Sequence, residues 1–388
     1  MHIVYLFHDT NPFCGASKAM IYVIKTLVQR GDKATVVVPD NKGITTKFLK
    51  DGIDCVVVPF RSGIYPPHDS IRNKLMFIPR LLLWRYYNVR AVRTLYAVFK
   101  DINVDIIHSN SSVLDVGYNL ARRLDCNHIY HIREFVNDYL NTSYFPSNRV
   151  FKQRVQAINK YSYTICIIPD LQALFGLEGS CFSRVIYDGV MNSCTRMNFP
   201  QKKDYLLYIG RIERQKGLLP LINAYAAYLK ESPKKMPLKV IGSINQQDYY
   251  DQVLDVIRGH NIEEKVSFFS MQDDISPFLR EANAIIISSL TEGFGFCMTE
   301  AMFNECPVVG YDVSGTHVQF ENGLKLTGSD IGYRYRTISE LKDALLKIES
   351  VDNSDIVKNA WYTVNKLYSK EVNLESIYSY YNYILSHE

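Results

Sequence analysis

Residues 288–302 read SSLTEGFGFCMTEAM, and they follow Ala284-Ile285-Ile286-Ile287, a short apolar run of the kind that forms a buried strand. Phe296 to Phe303 reads as a helix, and Gly293-Phe294-Gly295 lies between strand and helix. Glycines there let the backbone approach a ligand closely. Amides at the helix start would then face a negative group such as a phosphate. Glu292 and Glu300 flank the turn with seven residues between them, so a helix beginning near Gly295 allows both carboxylates to face one cleft. Taken alone, these residues are also accounted for by an ordinary strand-to-helix turn with a solvated glutamate on each side.

Outward from this stretch, apolar runs and helical periods alternate along the whole chain. Ile3–His8, Ala34–Val38, Cys55–Val58, Asp105–His108, His128–Ile132 and Tyr163–Ile168 read as strands, with helices such as Ser17–Gln29 and Val113–Arg123 between them. A polar, weakly patterned stretch, 188–204, reads as a linker. The alternation then restarts with Tyr205–Ile209, Leu238–Ile241, Val266–Phe269, Ala284–Ile287 and Pro307–Val309. Such alternation predicts parallel sheets covered by helices on both faces, with ligands bound beyond the carboxyl ends of the strands. The expected division is a first Rossmann-like domain over 1–187, a second over 205–368, and a tyrosine-rich last helix over 369–388.

The strand ends hold the candidate site residues. The first runs into His8-Asp9-Thr10-Asn11-Pro12-Phe13-Cys14-Gly15-Ala16-Ser17, a loop with Gly15 as a ligand contact or, as readily, a simple turn with Ser17 as helix cap. His108 and His131 stand at two others. Gly210-Arg211-Ile212-Glu213-Arg214-Gln215-Lys216-Gly217 follows the first strand of the second domain. There the Arg211 fork and the Lys216 ammonium are the usual partners of a diphosphate.

Together these residues resemble the retaining glycosyltransferases of family 4, which have the GT-B fold. The Glu292–Gly293-Phe294-Gly295–Glu300 element and the Arg211/Lys216 turn are the specific matches. Tyr187-Asp188-Gly189-Val190 and His131 are weaker ones, and the four span nearly the whole chain. The resemblance implies two Rossmann-like domains facing a cleft, with the last helix crossing back to the first. It implies transfer of a sugar from a nucleotide-diphosphate sugar to an acceptor hydroxyl, with retention of configuration. Arg211, Lys216 and the amides at 293–295 would hold the diphosphate, Glu300 the ribose, Glu292 the sugar or the developing positive charge, and His131 the sugar. Gly15, Gly242 and Ile275 would line the donor site. The sequence departs from the family pattern at Ala16, where a second glycine is usual, and at Thr316-His317 after Ser314-Gly315. A sugar-nucleotide epimerase and an inactive donor-binding subunit are the alternatives. The Glu292/Glu300 pair argues against the first, and the full set of site residues against the second.

Composition bounds the rest. No apolar run nears the roughly 20 residues of a membrane span, and the first residues read as a strand rather than a signal peptide. Eight scattered cysteines without a Cys-x-x-Cys pair predict reduced, buried thiols in a cytosol and no zinc site. No Asp-x-Asp occurs, so the expected site needs no metal and no cofactor. Residues 1–190 hold 23 basic and 15 acidic side chains, net +8, against 21 and 25, net −4, in the remainder. The excess concentrates in 70–100, SIRNKLMFIPRLLLWRYYNVRAVRTLYAVFK, with seven bases and no acid. Its interleaved leucines and aromatics predict an interfacial helix on an anionic membrane surface, and the family resemblance implies a lipid-linked glycan acceptor of surface polysaccharide synthesis there, at the cytoplasmic face. The other reading is a core-packed helix with a solvated basic face. No nucleic-acid-binding motif accompanies the charge.

Overall fold

The computed structural model describes residues 1–11, 15–66, 70–136, 142–157, 162–196 and 202–387. Pro12–Cys14 of the first loop and residues 197–201 of the expected linker lie outside the described residues.

The chain divides into two compact units, Met1–Gly189 with Lys370–Glu388, and Val190–Ser369. The first unit is built on β1 (His2–Leu6), β2 (Lys33–Val38), β3 (Asp54–Val57), β5 (Ile106–Ser109), β6 (Asn127–Ile132), β8 (Tyr163–Cys166) and β9 (Ser183–Val185). They form one parallel sheet in the order β3-β2-β1-β5-β6-β8-β9. Two short strands, β4 (Ile64–Tyr65) and β7 (Ser143–Tyr144), pair separately and antiparallel. Successive side chains of β1 point to opposite faces. Ile3 and Tyr5 meet α1 (Gly15–Gln29) and the carboxy-terminal helix Lys370–Leu385, through Leu374, Ile377, Tyr381 and Ile384. Val4 and Leu6 meet α3 (Ile71–Phe99) and α4 (Asp115–Leu124); α2 is Ile44–Lys50.

Ser17 does not cap α1. The helix begins two residues earlier, and the Ser17 hydroxyl is buried with no hydrogen-bond partner among the described residues. The basic segment is one 29-residue helix, α3, capped by Ser70, whose side chain accepts from the Asn73 amide. Its amino-terminal half is bare: Ile71, Leu75, Ile78, Leu82 and Leu83 are exposed. Trp84, expected to face a membrane, instead turns inward and stacks on Phe145 at 5.5 Å. A helix covering one side of a sheet must give one stripe to the core, and Trp84, Asn88, Ala91, Val92, Leu95 and Phe99 are that stripe.

The second unit holds β10 (Leu206–Ile209), β11 (Leu238–Ile241), β12 (Val266–Phe269), β13 (Ala284–Ile287), β14 (Val308–Tyr311) and β15 (Tyr333–Tyr335), all parallel, in the order β12-β11-β10-β13-β14-β15. This is the Rossmann strand order, with its reversal between β10 and β13. The chain is therefore α/β with two Rossmann-like units, the fold class expected of a GT-B protein. No described helix is long and apolar enough to cross a membrane. Cys55, Cys166 and Cys306 are reduced, and burial pushes their thiols up to about 11, 12 and 11. Cys181 and Cys194, contrary to expectation, are exposed.

Candidate active site

In the second unit the candidate residues gather at the β10/β13 reversal, where neighbouring loops leave the sheet in opposite directions and open a crevice. The loop after β10 carries Arg211 and Lys216; the loop after β13 carries Glu292. Two hydrogen bonds lash them together: Leu290 N donates to Gln215 O at 2.8 Å, and the Ser288 Oγ hydroxyl to Lys216 O at 3.0 Å. Gly217 makes the approach possible. Its φ is 65°, and a Cβ there would fall 1.9 Å from Ser288 O.

The result is a Lys216 Nζ to Glu292 Oε1 ion pair at 2.6 Å between side chains that are 13% and 16% exposed. Arg211 stays nearer solvent and pairs with Glu213 at 2.9 Å. Gly293-Phe294-Gly295 leads into a helix, Phe296–Phe303, with Gly295 at φ 94° as its cap. Phe294 is buried, with its ring edge-on to Tyr368 at 5.2 Å, so the turn offers a ligand its backbone and not this ring. Glu300 is half-buried in the second turn of that helix.

The turn is held by residues that the motif reading missed. Gln319 Nε2 donates to Phe294 O at 2.6 Å and to Gly295 O at 3.1 Å, while Thr299 Oγ1 donates to Gln319 Oε1. Gly315 N donates to Glu292 O at 3.0 Å, so the start of the helix Ser314–Thr327 fixes the glutamate's backbone. At the departures from the family pattern, Thr316 is buried with its hydroxyl unpartnered among the described residues. His317 Nδ1 lies 2.7 Å from Asp312. Gly242 has a packing reason to be glycine, since a Cβ would fall 2.0 Å from Gly210 O on the adjacent strand end. Ile275 is half-buried and caps the helix Ser276–Glu281.

In the first unit His131, fully buried at the end of β6, sits in a chain of polar groups. Its Nδ1 is 3.1 Å from His108 Nε2 and 3.2 Å from Arg133 NH2. His108 Nδ1 is 2.7 Å from the Tyr381 hydroxyl of the carboxy-terminal helix. Arg133 is clamped by the buried Asp188 and donates through Nε to Asn110 Oδ1 at 3.0 Å. Asn110 Nδ2 donates to Ala16 O at 3.1 Å, which brings the start of α1, with Gly15, to the same network. Burial, reinforced by the Arg133 charge, pushes both His108 and His131 well below the usual histidine range, so both rings are neutral.

Arg133 has only protons to offer. His131 Nδ1 is therefore the bare nitrogen, and the ring carries its proton on Nε2, which is buried and has no partner among the described residues. The sequence reading held Asp188 only within the Tyr187–Val190 match at the linker's start, and Tyr381 only within the tyrosine-rich last helix. Each acts on the histidine from far along the chain, where no local pattern could reveal it. Among the described residues no cluster of His, Cys, Asp and Glu has the form of a metal site.

Residues 195–359 match the family model described as Glycosyl transferases group 1. Capsular polysaccharide biosynthesis glycosyltransferase CapM of Staphylococcus aureus is 28% identical over 183 residues, 46% of either protein. The uncharacterized glycosyltransferase MJ1607 of Methanocaldococcus jannaschii is 28% identical over 362 residues, 80% of this chain and 90% of that protein. Alignments with the first of the curated relatives span only 34% to 46% of those proteins' length. Among solved structures, Anabaena HepE in complex with UDP has a TM-score of 0.74 at 18% identity, covering 98% of this chain and 99% of that one, a likeness of fold. Residues 195–359 of the second unit thus resemble the glycosyl transferases group 1 family, within a chain of GT-B fold.

Proposed function

We propose that the chain is a retaining, metal-independent glycosyltransferase of the family 4 type, moving a sugar from a nucleotide-diphosphate sugar to an acceptor hydroxyl. The observation that carries this reading is the Lys216–Glu292 pair, a cation and a carboxylate held together at the sheet reversal beside a helix start. The chemical demand is to neutralise the leaving diphosphate. Arg211, Lys216 and the amides around Gly293-Phe294-Gly295 supply that charge, and fixed donors of this kind contribute ~3–4 kcal/mol each. A basic pair does here what a metal does elsewhere. Glu300 holds the ribose hydroxyls. Glu292 meets the charge that develops on the sugar, and His131 offers its Nε2 proton to a sugar oxygen. Gly15, Gly242 and Ile275 complete the donor site through their backbone.

The acceptor in this reading is a lipid-linked glycan of surface polysaccharide synthesis, in keeping with the name of CapM. The protein works at the cytoplasmic face of the membrane, held there by α3. The seven bases of that helix, its cap residue Lys100 included, gain about 1 kcal/mol each near an anionic leaflet, and its exposed Leu82 and Leu83 enter the interface. Vesicle co-sedimentation tests this part: a variant with Arg80, Arg85, Arg90 and Arg93 changed to Glu should stay in the supernatant when the wild type sediments with anionic vesicles. No sedimentation of either protein removes α3 from the membrane.

For the donor site, calorimetric titration with nucleoside diphosphates, UDP first, is the test. Arg211→Ala and Lys216→Ala should each weaken binding by roughly 10- to 100-fold, the worth of a charge-assisted hydrogen bond. Unchanged affinity in both variants would leave these bases as surface charge and end the reading.

A further inference from the structure

The first unit contains a second candidate ligand site that the glycosyl-transfer reading does not use. A cavity of about 740 Å³ opens between α3 and α4, lined by Leu82, Trp84, Arg85 and Val89 from α3 and by Arg122 and Arg123 from α4. It adjoins a second cavity of about 480 Å³ through the shared Arg85 and Val89, and that one adds Arg90 and Arg93. The combined groove therefore gathers five arginines against one acid, Asp115, which is buried. Among the described residues none of the five arginines is in a salt bridge. Arg123 lies over the Tyr96 ring at 4.8 Å and Arg122 over Tyr118 at 5.8 Å, contacts that orient a guanidinium while leaving its charge unneutralised. The walls between the arginines are apolar. Trp84 adds an indole Nε1 that is buried with no hydrogen-bond partner among the described residues.

A pocket of this size is of ordinary ligand-binding dimensions. Arginine forks suit phosphate oxygens, and an apolar wall beside them suits a hydrocarbon chain, so a small hydrophilic anion would leave half of the groove unmatched. Beyond Leu82 at the groove's edge, the same helix exposes Ile78, Leu75 and Ile71. We propose that it binds one anionic membrane lipid, the phosphate between Arg85, Arg122 and Arg123, and the upper chain against Leu82, Trp84 and Val89. This rests on the membrane-facing reading of α3 and adds to it a defined stoichiometric site, one that reaches α4, which a non-specific charge attraction does not require.

The chain has two tryptophans, so a Trp361→Phe background leaves Trp84 as the fluorescent reporter inside the groove. Dihexanoyl-phosphatidylglycerol below its micelle concentration should give a saturable change in that fluorescence. The double variant Arg122→Ala, Arg123→Ala should weaken it about tenfold or more, as should Leu82→Asp, whose exposed position spares the fold. No saturable change overturns the proposal, as does equal affinity in the variants or an equal response to dihexanoyl-phosphatidylcholine. Inorganic phosphate binding as tightly as the lipid overturns it too, making the groove a simple anion site. The soluble probe needs no bilayer, so failure here is separate from failure of α3 to bring the protein to vesicles.

Discussion

His108 donates to His131: its Nε2 lies 3.1 Å from His131 Nδ1, and its own Nδ1 accepts from Tyr381 at 2.7 Å. The three side chains come from β5, β6 and the carboxy-terminal helix, and they point one way. Each proton is passed towards His131 Nδ1, which leaves Nε2–H as the outward donor. Long-range ¹⁵N NMR of the imidazoles should show His131 as the Nε2–H tautomer. In Tyr381→Phe the His108 ring loses its donor, and the buried nitrogen left behind should cost about 1–3 kcal/mol of stability. Turnover should fall while nucleoside diphosphate affinity stays as in the wild type. Nδ1–H on His131 in the wild type would refute the relay.

Acid should unfold this protein from the first unit. His108 and His131 are held well below the ordinary histidine value of about 6.5 by burial, and His128 is pushed down to about 3 by the same cause. Their folded pKa values are depressed, so the native state favours the neutral rings. The stability they contribute is complete above pH 6.5 and is lost as the pH falls below it, because only the unfolded chain takes up the protons. Each histidine should contribute a slope of up to about 1.4 kcal/mol per pH unit. Denaturant unfolding between about pH 7.5 and 5.5 measures it. His128→Asn, which keeps a polar partner for Ser162 but carries no titratable ring, should make the slope shallower by one proton. A flat profile in the wild type would contradict the buried neutral rings.

Lys216 and Glu292 should behave as a coupled pair. A double-mutant cycle on unfolding free energy with Lys216→Ala and Glu292→Gln should give a coupling of about 0.5–3 kcal/mol. Ligand binding separates them by sign. Glu292→Gln removes a negative charge beside the expected diphosphate and releases the ammonium, so nucleoside diphosphate should bind as well or more tightly while kcat falls. Glu300→Gln should instead weaken donor binding. Weaker binding in Glu292→Gln, with kcat unchanged, would reverse these roles.

Sugar transfer should persist in EDTA, with Arg211 and Lys216 carrying the charge compensation. Loss of activity that Mg²⁺ or Mn²⁺ restores would require a metal in the donor site.

The strands of the second unit could be read almost to the residue, because parallel strands buried on both faces appear as short apolar runs; β11, β12 and β13 begin and end where the sequence places them. The three-residue strands β9 and β15 were invisible, since Ser183-Arg184-Val185 and Tyr333-Arg334-Tyr335 break such a run with an arginine. Ser17 misled because a hydroxyl before an apolar period imitates a cap, and only the structure shows the helix already turning at Gly15. The motif residues around Glu292 were legible through spacing. The groups that hold the sites were not: Gln319 at the Glu292 turn, and Asp188 and Tyr381 in the His131 network, act across 25 to 273 positions, and contacts that distant leave no local trace.

The return of the last helix also fixes an order of events in the making of the protein. Leu374, Ile377, Tyr380, Tyr381 and Ile384 belong to the same core as Ile3, Tyr5 and Met20. A nascent chain that has released residues 1–189 from the ribosome still lacks part of that core, and the gap remains while the entire second unit is synthesised. Domains that emerge complete can fold as units during synthesis; here the unit begun first is finished last. Until residue 381 arrives, His108 lacks its hydroxyl donor and the apolar face of β1 is incompletely covered. The second unit is in effect an insertion that must fold while its host waits, so a stop codon after Ser369 would disable the half of the protein that was translated first.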